Sequence, residues 1–319
     1  MPAAQGGDPS GVCRQGKGRE MTEASAVFAM ARSLSAQAYV LADPAQDRTL
    51  PGALQFDSAR AVCLLDGAAD VIAVAPHLIE IDEANFHRAG AWLDRHASKV
   101  PCATLLISAL PLEMLARHLS SFVDVVLPDR TIMALAFWDP AILAVLAGAH
   151  GDDTLPVRGP VLAAGQRQAF LGPVLAWWYW DRAGHLRSLD WNGGAAASRP
   201  DMRLPLNLDQ RQVDALVEAS VPDSILYYIR LNLPGLLARI PESAQYAFVY
   251  SQILNARKYG LEGTGDLVNY CCVALAYGDA FDTLPEVAVL LEQVRSKAMS
   301  FDEFMKKFPS DIPAIDAAH

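Results

Sequence analysis

The sequence lacks a dense cluster of basic residues. Its 26 Lys and Arg residues are outnumbered by 36 Asp and Glu residues, and the formal net charge is −10. A surface that binds nucleic acid is usually basic, and so is one that binds an anionic membrane. The acidic balance therefore predicts neither nucleic acid nor a membrane as a partner.

The sequence also lacks a disulfide framework and a signal peptide. Its five cysteines form no CxxC pair, and the adjacent Cys271 and Cys272 lie in a helix-like stretch that favours packing. The first twenty residues contain no apolar run of the length that a signal peptide needs. We therefore expect a cytoplasmic protein with a flexible tail over 1–21 and with either Met1 or Met21 as its native start.

No motif of a catalytic or cofactor-binding site is evident. The seven histidines form no HExxH pair, and neither a GxSxG sequence nor the Walker lysine pattern occurs. We therefore expect no enzyme activity, no catalytic residues, no metal ligands and no cofactor. The alternative is an enzyme or a small-ligand-binding protein that uses a cleft between two lobes.

The segment YGLEGTGDL, residues 259–267, places three glycines in six positions ahead of an apolar run. A dinucleotide-binding loop follows a strand and has the order GxGxxG, whereas here the spacing is reversed and the preceding stretch has helical periodicity. Gly260 fits the position just after a helix, where glycine adopts a positive φ at little cost. Thr264 fits the N-cap of the next helix.

One weakly charged stretch, TIMALAFWDPAILAVLAGA at 131–149, is interrupted by Asp139 and Pro140. Asp at an N-cap with Pro at the first helical position is a signal for the start of a helix. We predict a buried strand over 130–138 and a helix from Pro140, rather than a membrane span.

Strand and helix patterns divide the chain into two lobes. The first mixes short apolar runs with helical stretches and includes a hairpin turn at 181–184, whereas only helical patterns follow, with a helix start expected at Pro222. We predict an α/β or α+β N-terminal lobe, with a mixed sheet flanked by helices, and an all-α C-terminal lobe. The predicted segments are a tail (1–21), the α/β lobe (22–192), a linker (193–204), the helical lobe (205–300) and a C-terminal tail (301–319).

The aromatic run WWYW at 177–180 has two interpretations. Trp178 and Trp180 share one face of a strand, because side chains alternate along it. This face either packs in the core or contacts a partner, since Trp is enriched in the energetically dominant parts of interfaces.

Several short motifs follow one another in a characteristic order. Residues 105–143 contain a strand, a Leu-rich helix, LPDR, a strand ending in FWDP and a helix, and residues 170–184 contain an aromatic strand pair. A later pattern, AxxYGL and then AxxxGxxFD, consists of Ala256, Tyr259, Gly260, Leu261, Asp266, Ala274, Gly278, Phe281 and Asp282. Over about residues 37–290 this order resembles the bacterial type VI secretion effector adaptors, or effector chaperones, of the Tap/Tec type, long catalogued as a domain of unknown function.

The resemblance implies a binding role in the cytoplasm of the producing cell. The expected partners are a cognate toxin effector, which such an adaptor holds before secretion, and a VgrG-type spike protein, onto which it helps load the toxin. The resemblance implies no enzymatic activity. The motif residues are accordingly expected to be structural, and they are Asp139, Pro140, Tyr259, Gly260, Gly278 and Phe281.

Overall fold

The computed structural model describes residues 23–55, 60–83, 85–191, 202–309 and 312. Strands and helices are interspersed up to residue 188, and the chain is helical between Gln210 and Lys307. The predicted pairing of a lobe of strands and helices with an all-α lobe is confirmed. The predicted tail over 1–21 and most of the predicted linker over 193–204 lie outside the described residues.

A six-stranded sheet is the framework of the first lobe. Its order is β2-β3-β1-β4-β7-β8, and every neighbouring pair is antiparallel. The hairpin predicted at 181–184 joins its last two strands, and the Gly184 amide donates to the Asp181 carbonyl at 2.9 Å. The strands are β1 (Gln37–Ala42), β2 (Ala61–Cys63), β3 (His77–Ile81), β4 (Ala103–Ser108), β7 (Val174–Trp180) and β8 (Leu186–Ser188).

Both faces of this sheet are covered, so its central strands are apolar on both sides. Tyr39 and Leu106 belong to one core, and their strand neighbours Val40 and Leu105 belong to another, because successive side chains point to opposite faces. The helices of this lobe are α1 (Glu23–Ser33), α2 (Leu50–Leu54), α3 (Ala69–Ile72), α4 (Phe86–His96), α5 (Leu112–Ser120), α6 (Pro140–Ala147) and α7 (Ala164–Leu171). Helices α1 and α4 cover the face of Val40, and α5, α6 and α7 contribute to the core on the other face.

A second, three-stranded sheet supplies the mixed pairing. Strand β5 (Asp124–Val126) pairs antiparallel with β6 (Ile132–Ala134) and parallel with β9 (Leu206–Asn207). The prediction of a buried strand over 130–138 is wrong, because β6 is three residues long and all three are exposed. The run reads as apolar throughout, but only residues after the strand, such as Phe137, enter the core.

One long helix joins the two lobes. Helix α8 (Gln210–Asn232) continues through Pro222, where the sequence predicts the start of a new helix. Its first half packs through Val213 and Leu216 against the core of the first lobe, and its second half contributes Ile225 to the core of the helical lobe. Packing on both sides of Pro222 holds the helix together although proline lacks a backbone donor.

The helical lobe has a core of its own and extends beyond its predicted end. Residues 301–307, assigned by the sequence to a C-terminal tail, form a helix in which Phe304 is fully buried. A capping box between Ser300 and Glu303 starts that helix. The elements that follow α8 are α9 (Pro234–Leu237), α10 (Glu242–Lys258), α11 (Thr264–Tyr277), a 3-10 turn (Phe281–Thr283), α12 (Pro285–Arg295) and α13 (Phe301–Lys307).

Candidate functional site

The glycines of the 259–267 segment end one helix and precede the next. Gly260 has a φ of +77°, its amide donates to the Arg257 carbonyl at 3.0 Å, and the Leu261 amide donates to the Ala256 carbonyl at 3.3 Å. This is a Schellman ending, in which the left-handed residue is usually glycine. Gly263, rather than the expected Thr264, is the N-cap of α11. The geometry of the segment is therefore that of two helix ends.

The other residues of the later motif meet in one packed corner of the helical lobe. The hydroxyls of Tyr259 and Tyr270 both donate to Oδ2 of Asp282, at 3.2 and 2.9 Å. Phe281 is buried, and its ring centroid lies 4.9 Å from that of Tyr270. Burial raises the pKa of Tyr259 to about 12, and the Asp282 carboxylate acts in the same direction. Gly278, with a φ of +106°, ends α11 and turns the chain into this corner.

Asp139 and Pro140 start helix α6 as the sequence predicts. The Asp139 carboxylate accepts from the Ala141 amide at 2.8 Å and from the Ile142 amide at 3.4 Å, and Pro140 is the first helical residue. Burial raises the pKa of Asp139, while those two amides and the guanidinium of Arg182 act against the rise. The carboxylate therefore has a capping role in the fold.

Arg182 connects the two lobes at the tip of the β7–β8 hairpin. Its guanidinium donates to the Asp223 carboxylate on α8 and lies 4.0 Å from the ring centroid of Tyr246 on α10. The Arg182 side chain is only 16% exposed, whereas that of Asp223 is 50% exposed, so the guanidinium and its cation–π contact are largely removed from water while the carboxylate stays at the surface. Sequence reasoning missed this residue, because a charged residue in a hairpin turn is ordinarily solvated. The joint between the lobes is filled by protein at this point.

The described residues also line cavities away from this joint. One of about 240 Å³ is in the first lobe, and the charged residues on its wall are Glu80 and two ion pairs, Arg32 with Glu83 at 2.7 Å and Arg60 with Asp82 at 3.1 Å. The other, of about 570 Å³, is lined by residues from 157–163 and 209–215. Its carboxylate, Asp209, caps α8. Neither wall, as far as the structure describes it, brings a nucleophile beside a general base.

Two of the described cysteines have buried thiols. Burial raises the pKa of Cys102 to about 12 and also raises the pKa of Cys271, which disfavours the reactive thiolate in both. No group of three or more His, Cys, Asp or Glu side chains has an arrangement that could hold a metal ion within the described residues.

The tryptophan face of β7 is covered from within the chain. Trp180 is 5% exposed and belongs to the core beneath α1 and α4, against which the half-buried Trp178 also packs. The opposite face carries Trp177, whose indole donates to the Thr104 hydroxyl at 2.9 Å. Of the two interpretations of this face, the burial of Trp180 therefore favours packing in the core. Trp178 is mostly committed to the same packing.

An apolar stripe that the sequence analysis did not identify lies on the solvent side of α8. We define the α8 stripe as Val217, Tyr227, Tyr228 and Leu231, whose exposed fractions lie between 42% and 64%. With 3.6 residues per turn, these positions fall on one side of the helix, and the residues between them on that side include Ser220 and Ser224. The signal is hard to see in the sequence, because α8 is rich in apolar residues all round.

The charged residues at the flanks of the stripe are engaged inside the chain. Arg257 makes a double hydrogen bond to Glu218, at 2.5 and 2.8 Å. Arg182 holds Asp223, as described above, and Arg230 donates to Gln245 at 3.2 Å. The stripe thus offers a partner apolar and hydroxyl groups, rather than a free charge.

Within the described residues, no helix has both the length and the apolar character that crossing a membrane requires.

Part of the first lobe is similar to a known family model. A family model described as a domain of unknown function (DUF4123) matches residues 38–156, which are 119 of the 319 residues. No curated protein and no solved structure matches the chain. The matched range starts in β1, ends after α6 and contains the 105–143 block, whereas the motif at 256–282 lies beyond it.

Proposed function

We propose that this chain is an adaptor that binds a toxin effector of a type VI secretion system and helps load it onto a VgrG-type spike. The proposal is supported by the order of the motifs and by the match of residues 38–156 to a domain of unknown function, a description that also applies to the adaptors. The observation that carries it is the α8 stripe, an exposed apolar surface in the helical lobe.

The stripe has the character of a surface that another protein covers. Single exposed apolar side chains are common, but adjoining ones on one side of a helix, as Tyr227, Tyr228 and Leu231 are, are typical of an interaction site. Two of its members are tyrosines, a residue type enriched among the positions that dominate binding energy. An amphipathic helix or an apolar edge of the toxin would cover these side chains and leave the paired charges at the flanks in place.

An enzyme or small-ligand-binding protein that uses the cleft between the lobes is less well supported. The joint is occupied by Arg182, Asp223 and Tyr246. The cavity beside the start of α8 has a mostly apolar lining, and of its polar side chains Asp209 and Gln212 form the capping box of that helix, while Arg158 pairs with Asp153. A saturable effect of ATP, GTP or NAD on thermal stability would favour that alternative.

The test is capture of the proteins encoded beside this gene, above all a candidate toxin and a candidate spike. The full chain is used, because removing residues from 205 onward would also remove Leu206 and Leu208 from the core of the first lobe. The stripe variant is Tyr227→Ser with Leu231→Ser. The matched control is Val289→Ser, because Val289 on α12 is 61% exposed and Leu231 is 64% exposed.

We expect the stripe variant to bind the toxin at least about tenfold more weakly, as loss of two central apolar contacts should do, and the control to bind like the wild type. Circular dichroism checks that all variants are folded. If the stripe variant captured the toxin as well as the wild type does, α8 would not be the toxin-binding surface, although the adaptor role itself would not be contradicted. If the wild type captured neither the toxin nor the spike protein, the proposed adaptor role would be refuted.

A further inference from the structure

Strand β6 is an open edge of the small sheet. The order of that sheet is β6-β5-β9, so β6 pairs on one side only. Ile132 is 62% exposed and Met133 is 51% exposed, although they point to opposite faces of the strand. The edge therefore protrudes from the lobe with apolar side chains on both faces. Proteins ordinarily protect such an edge with charged residues or proline, and β6 contains neither.

The register shows which backbone groups of this edge face outward. The Leu127 amide donates to the Thr131 carbonyl at 2.8 Å, and the Leu135 amide donates to the Val123 carbonyl at 2.6 Å. In an antiparallel pair such bonded positions alternate with unbonded ones, so Met133 is also turned toward β5. Ile132 and Ala134 consequently direct their N–H and C=O groups away from the sheet, and no strand in the described part of the chain pairs with them.

The edge is held in place by its hairpin turn. Asp129 accepts from the Thr131 amide at 2.9 Å, and Arg130 has a φ of +71° while its amide donates to the Leu127 carbonyl. A pre-ordered strand loses little conformational freedom when a second strand pairs with it. The opposite edge differs, since the Asn207 carbonyl on β9 already accepts from the Gln166 side chain at 2.8 Å.

We propose that β6 is a docking site for an extended segment of another protein, which adds to the small sheet as a fourth strand. Only an extended backbone can satisfy the outward groups of Ile132 and Ala134 together, and its apolar side chains would contact Ile132 on one face and Met133 on the other. The net charge of −10 opposes pairing with a second copy of this chain and favours a neutral or basic segment. This inference is independent of what the α8 stripe binds.

The test uses the full chain and a displayed library of random short peptides. The informative variant is Ala134→Pro, which removes one outward amide, adds little side chain and keeps the bonds between β5 and β6. Ala134→Ser is the matched control, because it keeps the amide. We expect the selected peptides to alternate apolar residues with polar or basic ones, to bind Ala134→Ser like the wild type and to bind Ala134→Pro about tenfold more weakly.

Hydrogen exchange on the wild-type protein provides a second measurement that does not depend on how the variants fold. The amides of Ile132 and Ala134 should exchange quickly in the free protein and slow when a selected peptide is added, whereas the Met133 amide should be protected in both states. Enrichment of no peptide, protection elsewhere on the chain, or equal affinity of Ala134→Pro and Ala134→Ser overturns the proposal. So does a wild-type dimer that Ala134→Pro converts to a monomer, since the occupant would then be a second copy.

Discussion

Replacing Asp282 with alanine should destabilise the helical lobe more than removing the hydroxyl group of either of its tyrosine partners. The Asp282 carboxylate is 9% exposed and accepts two hydroxyl groups, from Tyr259 at 3.2 Å and from Tyr270 at 2.9 Å. Tyr270 is fully buried, so its hydroxyl cannot donate to water when the Asp282 carboxylate is removed. Tyr259 is partly exposed, so its hydroxyl can donate to water in part. Asp282→Ala therefore leaves the Tyr270 hydroxyl without an acceptor and the Tyr259 hydroxyl only partly satisfied.

The expected cost follows from these environments. A hydrogen bond to a charged acceptor contributes about 1.5–3 kcal/mol, and a stranded buried donor costs about 1–3 kcal/mol. Removing the carboxylate also removes the cost of burying its charge, which offsets part of this loss. We therefore expect Asp282→Ala to lower the free energy of unfolding by about 3 kcal/mol. Asp282→Asn keeps an acceptor oxygen and should cost about 1 kcal/mol, and Tyr270→Phe should cost about 1–2 kcal/mol.

The measurement is urea unfolding followed by two probes. All six tryptophans lie between residues 92 and 191, so their fluorescence reports the first lobe, whereas far-ultraviolet circular dichroism is dominated by helices. The double mutant of Asp282→Ala and Tyr270→Phe should be less destabilised than the sum of the single mutants, by about 1–2 kcal/mol. Additive effects, or equal costs for Asp282→Ala and Asp282→Asn, would refute the reasoning.

Two further predictions concern the same lobe. A Cβ built on Gly260 meets no atom within 4 Å, so the backbone φ of +77° alone sets the loss of stability on substitution. We expect Gly260→Asn, Gly260→Ala and Gly260→Val to lower the free energy of unfolding by increasing amounts in that order, with about 1–2 kcal/mol for Ala. A larger loss for Ala than for Val, measured by urea unfolding, would contradict this. The pKa of Tyr259 is raised to about 12 from an ordinary ~10, so the folded state holds the hydroxyl proton more tightly than the unfolded state does. The contribution of Tyr259 to the free energy of unfolding should therefore be complete below about pH 10 and decline as the pH rises toward 12. Tyr259→Phe should flatten that decline in urea titrations across this range, and an unchanged slope would count against the assignment.

Local chemistry is what the sequence reveals most directly. The N-cap at Asp139, the positive φ of Gly260 and the turn at 181–184 each depend on a few neighbouring residues, and all three occur as predicted. Composition likewise indicates two lobes, although β9 (Leu206–Asn207) lies just beyond the boundary predicted at 205 and belongs to the small sheet of the first lobe. These features can be predicted since the physical cause lies within one or two turns of backbone.

Features that depend on distant contacts could not be predicted in the same way. Apolar composition does not say whether a short strand such as β6 lies in a core or at a rim. Pro222 signals a helix start, and only packing against two cores keeps α8 continuous. Trp180 and the α8 stripe show the same difficulty: the sequence left open whether the face of Trp180 is buried, and it did not reveal the exposed apolar residues of α8.

The continuity of α8 explains why the proposed toxin-binding surface, the α8 stripe, depends on both lobes. Leu216 anchors its first half to the core of the α/β lobe, and Ile225 and Ile229 anchor its second half to the core of the helical lobe. A helix held at both ends presents Tyr227 and Leu231 in fixed positions, so a partner that binds there does not have to order the surface it contacts. Arg182 adds a third tie, because it holds Asp223 between those two anchored halves. In the proposed adaptor, the first lobe would therefore contribute to binding without touching the partner at the stripe, by fixing the helix on which the stripe lies.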